Sequence, residues 1–287
     1  DGAPDAFTKK PKPYVLAIIQ EVRDGSLLLK EPLQYPIPAG AVIRHADAPN
    51  LIEIRGASDT LEIANLTLDG GRADDSPKVR GHAQLCGIFA AGPYTYEKGP
   101  SGPKPKGITV RDCILQNLFG RGIAFYSVED SSVERCSIRD VNDEAIDFDH
   151  FATGCVARGN HIIRSPVAFE LNDANTTLIV GNEVRDCGIG VNLWRWCQQP
   201  GLNEGNIIRG NLFARITGNA FQLGKGTARN VIEANEIDQP GRNGISLSGA
   251  AQIVRGNLIR QPGLKDIAIN EGDHQIEAPS ETAVPSK

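Results

Sequence analysis

From residue 108 onward one apolar pattern returns at intervals of 22 to 29 residues. With Cys113, Cys136, Asn160, Asn182, Asn211, Asn235 and Asn257 as reference positions, the intervals are 23, 24, 22, 29, 24 and 22. Three residues before each reference stands Val110, Val133, Ala157, Ile179, Ile208, Ile232 or Val254, and two residues after it Leu115, Ile138, Ile162, Val184, Phe213, Ile237 or Ile259. All are apolar. Within each repeat, apolar and polar residues alternate over short runs, which is strand periodicity rather than the helical period of about 3.6. Gly, Asn and Asp mark the turns between runs.

A further strand follows in every repeat, carrying the apolar pairs Ile123/Phe125, Ile146/Phe148, Phe169/Leu171, Val191/Leu193, Phe221/Leu223, Ile245/Leu247 and Ile267/Ile269. If these pairs face inward, the residue between them faces solvent. That gives an outward column Ala124, Asp147, Glu170, Asn192, Gln222, Ser246, Ala268. One outward step on, the column reads Tyr126, Asp149, Asn172, Trp194, Gly224, Ser248, Asn270, and at the strand end Ser127, His150, Asp173, Arg195, Lys225, Gly249, Glu271.

No single repeat can bury its apolar face alone. Stacking the repeats gives each strand parallel neighbours about 4.8 Å above and below and closes a core between the strand faces. Five consecutive repeats carry Asn at the reference position, mostly as Gly-Asn (159–160, 181–182, 210–211 and 256–257), with Ala234-Asn235 the variant. Stacked amides can hydrogen-bond along the stack, and Asn tolerates the left-handed turn conformation.

In these features the sequence resembles the right-handed parallel β-helix proteins of the pectate-lyase-like superfamily, over about residues 61–272 and extending to 14–60. The resemblance implies an all-β, single-stranded right-handed parallel β-helix (solenoid) with excursion loops. Residues 1–60 read as an N-terminal cap and first coil. Residues 61–273 read as the parallel β-helix, with loops at 69–84, 91–106 and 197–205, and 274–287 as a polar C-terminal tail. Caps are expected because a solenoid must hide its unpaired strand edges.

Composition narrows the partners. Thirty basic against 35 acidic residues give a formal charge of −5, the wrong sign for binding a nucleic-acid backbone. No run approaches the ~18 apolar residues of a membrane span. Six cysteines without a Cys-x-x-Cys offer neither a disulfide framework nor a thiolate zinc site. Cys113 and Cys136 occupy equivalent places one coil apart, within disulfide reach, although stacked reduced thiols are the favoured reading. The chain begins at Asp1 and contains no Met, which fits a secreted or periplasmic protein freed of its signal peptide, or a chain trimmed at its start. The oligomeric state is open.

The outward columns concentrate chemistry in the middle coils. Asp147 and Glu170 are expected about 4.8 Å apart, and Asp147 and Asp149 about 6.6 Å. Like charges opposed across strands destabilise a sheet, so such a cluster either holds a proton of raised pKa or binds a cation, with calcium the candidate. Asp147, Asp149, His150 and Glu170 are the candidate catalytic residues. Asn172, Asp173, Asn192, Trp194, Arg195, Gln222 and Lys225 are candidate substrate contacts, and Arg80 and His82 are further ones, at the edge of the first loop. That loop and 91–106, with Tyr94, Tyr96 and Lys98, are expected to wall a groove along the helix. Turn-proximal solvated acids, a hydrogen-bonded turn histidine and an Arg195 ion network with Glu170 and Asp173 are the structural alternatives.

The resemblance implies a carbohydrate-active protein: a lyase or glycoside hydrolase acting on an acidic polysaccharide or oligosaccharide. Hydrolysis needs two carboxyl groups, and elimination needs a base with a cation beside the uronate. The alternatives are a non-catalytic glycan-binding β-helix and a structural solenoid. The string Asp147-Phe148-Asp149-His150 is similar to the Asp-Pro-His-Asp of mannuronan epimerases, but the order differs and Phe148 replaces the proline, so that activity is not carried over.

Overall fold

The computed structural model describes residues 19–23, 26–32, 50–56, 59–72, 85–197 and 199–277. Three parallel sheets wind around one apolar core. The first contains nine strands, from Leu61–Ala64 to Gln275–Glu277, and the second eight, from Thr67–Asp69 to Leu258–Arg260. The third again has nine, from Ile52–Arg55 to Ile267–Ile269. Each strand pairs with its counterpart one coil away. Val133 lies between Val110 and Ala157, Leu115 opposite Ile138, and Ile146 opposite Phe169. A chain period of one coil thus becomes a spatial neighbour relation.

The reference positions occupy the corner between the first and second sheets. There the structure corrects one expectation: the left-handed residue is not the asparagine but the one before it. Gly159, Gly181, Gly210 and Gly256 hold φ of 60–63°, and Asp112, Arg135 and Ala234 take the same turn at 50–54°. Glycine has no Cβ to oppose that geometry. The asparagine is thereby free to stack. The Asn160, Asn182, Asn211 and Asn235 side chains each donate Nδ2 to the next amide Oδ1 at 2.9 Å, ending at Asn257. A second ladder, Asn206 to Asn230 to Gln252, runs at the corner between the third and first sheets, with donor distances of 2.9 and 3.1 Å. Buried amides are tolerated because each is paired.

Inside, Phe125, Phe148, Phe169, Phe213 and Phe221 are fully buried, with the Phe125 and Phe148 rings 5.8 Å apart and Phe213 and Phe221 4.8 Å. All six cysteines are buried and unbonded, Cys113 and Cys136 included. Ile52–Arg55, in the segment read as the cap and first coil, pairs with Ile88–Ala91, and Gln275–Glu277, in the segment read as the tail, pairs with Ile253–Arg255. Among the described residues no helix is long and apolar enough to cross a membrane.

Candidate functional site

The third sheet places the outward column in the register that the spacing predicts. Ala124 pairs with Asp147, Asp147 with Glu170, Glu170 with Asn192, and Asn192 with Gln222. Tyr126, Asp149, Asn172 and Trp194 follow in the same order.

The expected exposure of that column does not hold. Asp147 and Asp173 are 0% exposed, Asp149 and Asn172 3%, His150 6% and Glu170 7%. Over His150 lies a cover that the apolar period does not encode. Strands Tyr94–Thr95 and Gly99–Pro100 form an antiparallel hairpin whose Tyr94 and Tyr96 rings lie 5.1 and 4.9 Å from the His150 ring. The loop expected at 91–106 therefore closes over the strand ends instead of walling a groove. Tyr126 meets His150 from within the sheet at 5.0 Å, while Leu202 of the 197–205 loop packs with Phe151 and Cys197.

The polar groups fall into three clusters. The first is centred on Arg121, which the sequence reading passed over. Its Nε lies 2.6 Å from Glu144 Oε2 and 2.8 Å from Asp147 Oδ2, and its Nη2 3.8 Å from Asp143 Oδ2. Neither Nε contact has hydrogen-bond alignment, and both Asp147 carboxylate oxygens lack an aligned donor. Burial, and then the Asp149 charge, push Asp147 well above the usual carboxylate range against the pull of Arg121. Burial likewise raises Glu144, although Arg121 opposes it. Arg121 stands two residues before Ile123, at a position that strict alternation would turn inward, so the outward columns do not contain it although it falls opposite Glu144 on the next coil.

The second cluster surrounds Glu170. Trp194 donates Nε1 to its Oε1 at 2.5 Å and Asn192 donates Nδ2 to its Oε2 at 3.1 Å. Behind Asn192, Gln222 donates to Asn192 Oδ1, and Asn219 to Gln222 Oε1, each at 3.3 Å. The three amides form a relay that points its donors at one carboxylate. Burial raises Glu170 to about 7, while the Asn192 and Trp194 hydrogen bonds oppose the shift. Unlike the Arg121 cluster, this one borders open surface. Asn192, Trp194, Gln222 and Asn219 are half-buried, and the exposed Trp196 ring stands edge-on to Trp194 at 5.4 Å.

The third cluster lies where the strand ends. His150 and Phe151 take left-handed φ of 40° and 70°, turning the chain out of the sheet and setting the imidazole under the hairpin. His150 Nδ1 lies 3.0 Å from Asp149 Oδ1 and 3.7 Å from Asp173 Oδ2, without hydrogen-bond alignment to either. Burial lowers His150, but the adjoining carboxylates of Asp149 and Asp173 outweigh it and raise the imidazole to about 9. Asp173 is held by the backbone N–H groups of Trp196 at 2.9 Å and Cys197 at 3.1 Å, and Asn172 Oδ1 accepts from Trp196 N at 3.1 Å.

Other candidates stand apart. Arg195 takes no part in a network with Glu170 or Asp173; its guanidinium lies against Gly226, where a Cβ would come within 2.9 Å of Nε. Lys225 is exposed and pairs with Glu271 at 3.1 Å, away from the acids. Arg80 and His82 lie outside the described residues. Calcium does not fit between Asp147 and Glu170. It needs six to eight oxygens, whereas Arg121 already faces Asp147, and Trp194 and Asn192 occupy Glu170.

The family model described as a right-handed beta helix region matches residues 52–259, and the chain belongs to that family. Among solved structures it is similar to tailspike protein 3 of bacteriophage CBA120, at 13% identity and a TM-score of 0.49, covering 77% of this chain and 40% of the tailspike. The DFA-IIIase of Arthrobacter chlorophenolicus A6 is 12% identical, with a TM-score of 0.46 and coverage of 80% and 74%. The alginate lyase of Paenibacillus sp. str. FPU-7 is 11% identical, with a TM-score of 0.42 and coverage of 76% and 89%. The chain thus spans well under two thirds of the tailspike's length. No curated protein matches the sequence. These likenesses concern the fold alone.

Proposed function

We propose that this protein is a carbohydrate-active β-helix, a lyase or glycoside hydrolase that cleaves a polysaccharide laid along the third sheet from Glu170 toward Ser246, with Glu170 as its acid–base group. One observation carries the reading. Glu170 is the carboxyl at which a buried acid cluster meets a half-exposed strip of amides and indoles. A carboxyl titrating near neutrality can both give and take a proton at working pH. Asn192 and Gln222 each offer donor and acceptor, as sugar hydroxyls require, and the Trp194 and Trp196 faces suit the apolar faces of sugar rings. Arg195, following Trp194 at the strand end, supplies a cation for an acidic substrate. A substrate of polymer size also places the protein outside the cytoplasm in this reading.

Asp147, Asp149 and His150 then act beneath the surface, as the charged bed on which Glu170 sits. The test is incubation with acidic and neutral glycans. New unsaturated-uronate absorbance identifies a lyase, and reducing ends without it a hydrolase. Retention without turnover would overturn the enzymatic reading in favour of a glycan-binding protein. Glu170→Gln is expected to lower turnover by about 10²- to 10⁴-fold, the usual worth of general acid–base catalysis.

A further inference from the structure

Glu170 carries the proposed chemistry and His150 only supports it, yet His150 is a buried imidazole beside two carboxylates, with its Nδ1 aligned to neither, under a lid of tyrosines. We propose that Asp149 Oδ1, His150 Nδ1 and Asp173 Oδ2 bind one divalent transition-metal ion, of which zinc is the best fit. The three side chains offer donor atoms that all lie within 4.8 Å of one another, and each residue is at least nine-tenths buried.

The spacing suits the ion. Donors about 2.1 Å from a tetrahedral zinc stand about 3.4 Å apart. The structure has 3.0 Å between His150 Nδ1 and Asp149 Oδ1 and 3.7 Å between His150 Nδ1 and Asp173 Oδ2, on either side of that value. His150 Nδ1, buried beside both carboxylates, has no aligned hydrogen-bond partner, so no hydrogen bond occupies it.

Outer contacts fix the ligands as metal sites require. The N–H groups of Trp196 and Cys197 hold Asp173, the His150 N–H donates to Asp149 Oδ1 at 2.6 Å, and the Tyr94, Tyr96 and Tyr126 rings confine the imidazole. An imidazole with two carboxylates suits zinc, while calcium would demand several more oxygens than this aromatic surround supplies.

The experiment uses the whole chain, stripped with a chelator, reloaded with zinc and dialysed. Elemental analysis is expected to find about one zinc per chain. Cobalt(II) titration of the stripped protein is expected to saturate at one equivalent, with the intense visible absorption of a four- or five-coordinate ion that zinc then displaces. His150→Gln and Asp173→Asn, checked for an unchanged β-sheet circular dichroism spectrum, are each expected to abolish both signals. A wild-type protein that retains no zinc and leaves cobalt as the pale hexa-aquo ion would overturn the proposal, leaving the cluster as an ion pair. Full retention in folded His150→Gln would overturn it equally, by placing the ion elsewhere. Glu170 is not a ligand, so the glycan assay stands or falls separately.

Discussion

Arg121 Nε lies 2.8 Å from Asp147 Oδ2 on the following coil, and both side chains are buried. The pair belongs to the third sheet, and the Arg121 guanidinium lies 5.9 Å from the centre of the Tyr126 ring. Removing the cation from such a pair leaves buried acids to be neutralised.

Arg121→Met is therefore expected to destabilise the fold by about 3 kcal/mol at pH 8 and by less at pH 5. Glu144 and Asp147 are acids raised above their unfolded values, so their protonated forms favour the folded state. Stability from such groups is present at low pH and is lost as pH rises through the folded pKa. Without Arg121 that loss steepens. Thermal denaturation of the variant and wild type at the two pH values measures it.

Glu170 follows the same sign. Its folded value of about 7 lies above the ordinary glutamate value of 4.5, so its contribution is whole below about 4.5 and disappears as pH passes 7. Glu170→Gln keeps the shape without the charge. It is expected to be more stable than wild type above pH 7, by at most roughly 3 kcal/mol, and equal to it near pH 4. Urea titrations across pH 4–9 check this alongside the loss of turnover.

The amide ladder makes a positional prediction. Asn211 accepts from Asn182 and donates to Asn235 and to Ile179 O, whereas the terminal Asn257 donates only to backbone carbonyls. Asn211→Ala strands buried partners on both sides and is expected to cost about 3 kcal/mol, with Asn257→Ala costing less. Equal losses in urea unfolding would show that the amides do not act as a connected ladder.

The tyrosine cover predicts reactivity. Tyr94→Ala and Tyr96→Ala each remove a ring seated on His150. Acylation of His150 by diethyl pyrocarbonate, followed by peptide mapping, is expected to quicken about tenfold, a change that needs only about 1.4 kcal/mol of easier local opening. Unchanged rates would mean that the hairpin does not control access.

How far the site was legible differs residue by residue. The pairing of Asp147 with Glu170, and of Glu170 with Asn192, followed from counting between apolar pairs, because parallel stacking turns equal position in the repeat into adjacency. Arg121, two residues before Ile123, has the parity of an inward position and lies outside the outward columns. Tyr94 above His150 obeyed no count at all.

The sequence by itself determined the solenoid and the register of the column from Ala124 to Ala268 on the third sheet. Hydrophobic burial and backbone pairing act between neighbours one period apart, and a period is visible in a single chain. Only the tertiary structure decided which outward residues remain wet. That depends on where aperiodic segments such as 94–100 and 197–205 come to rest, which no repeat encodes. Facing away from the core is a local property of a strand; reaching water is a property of everything folded over it.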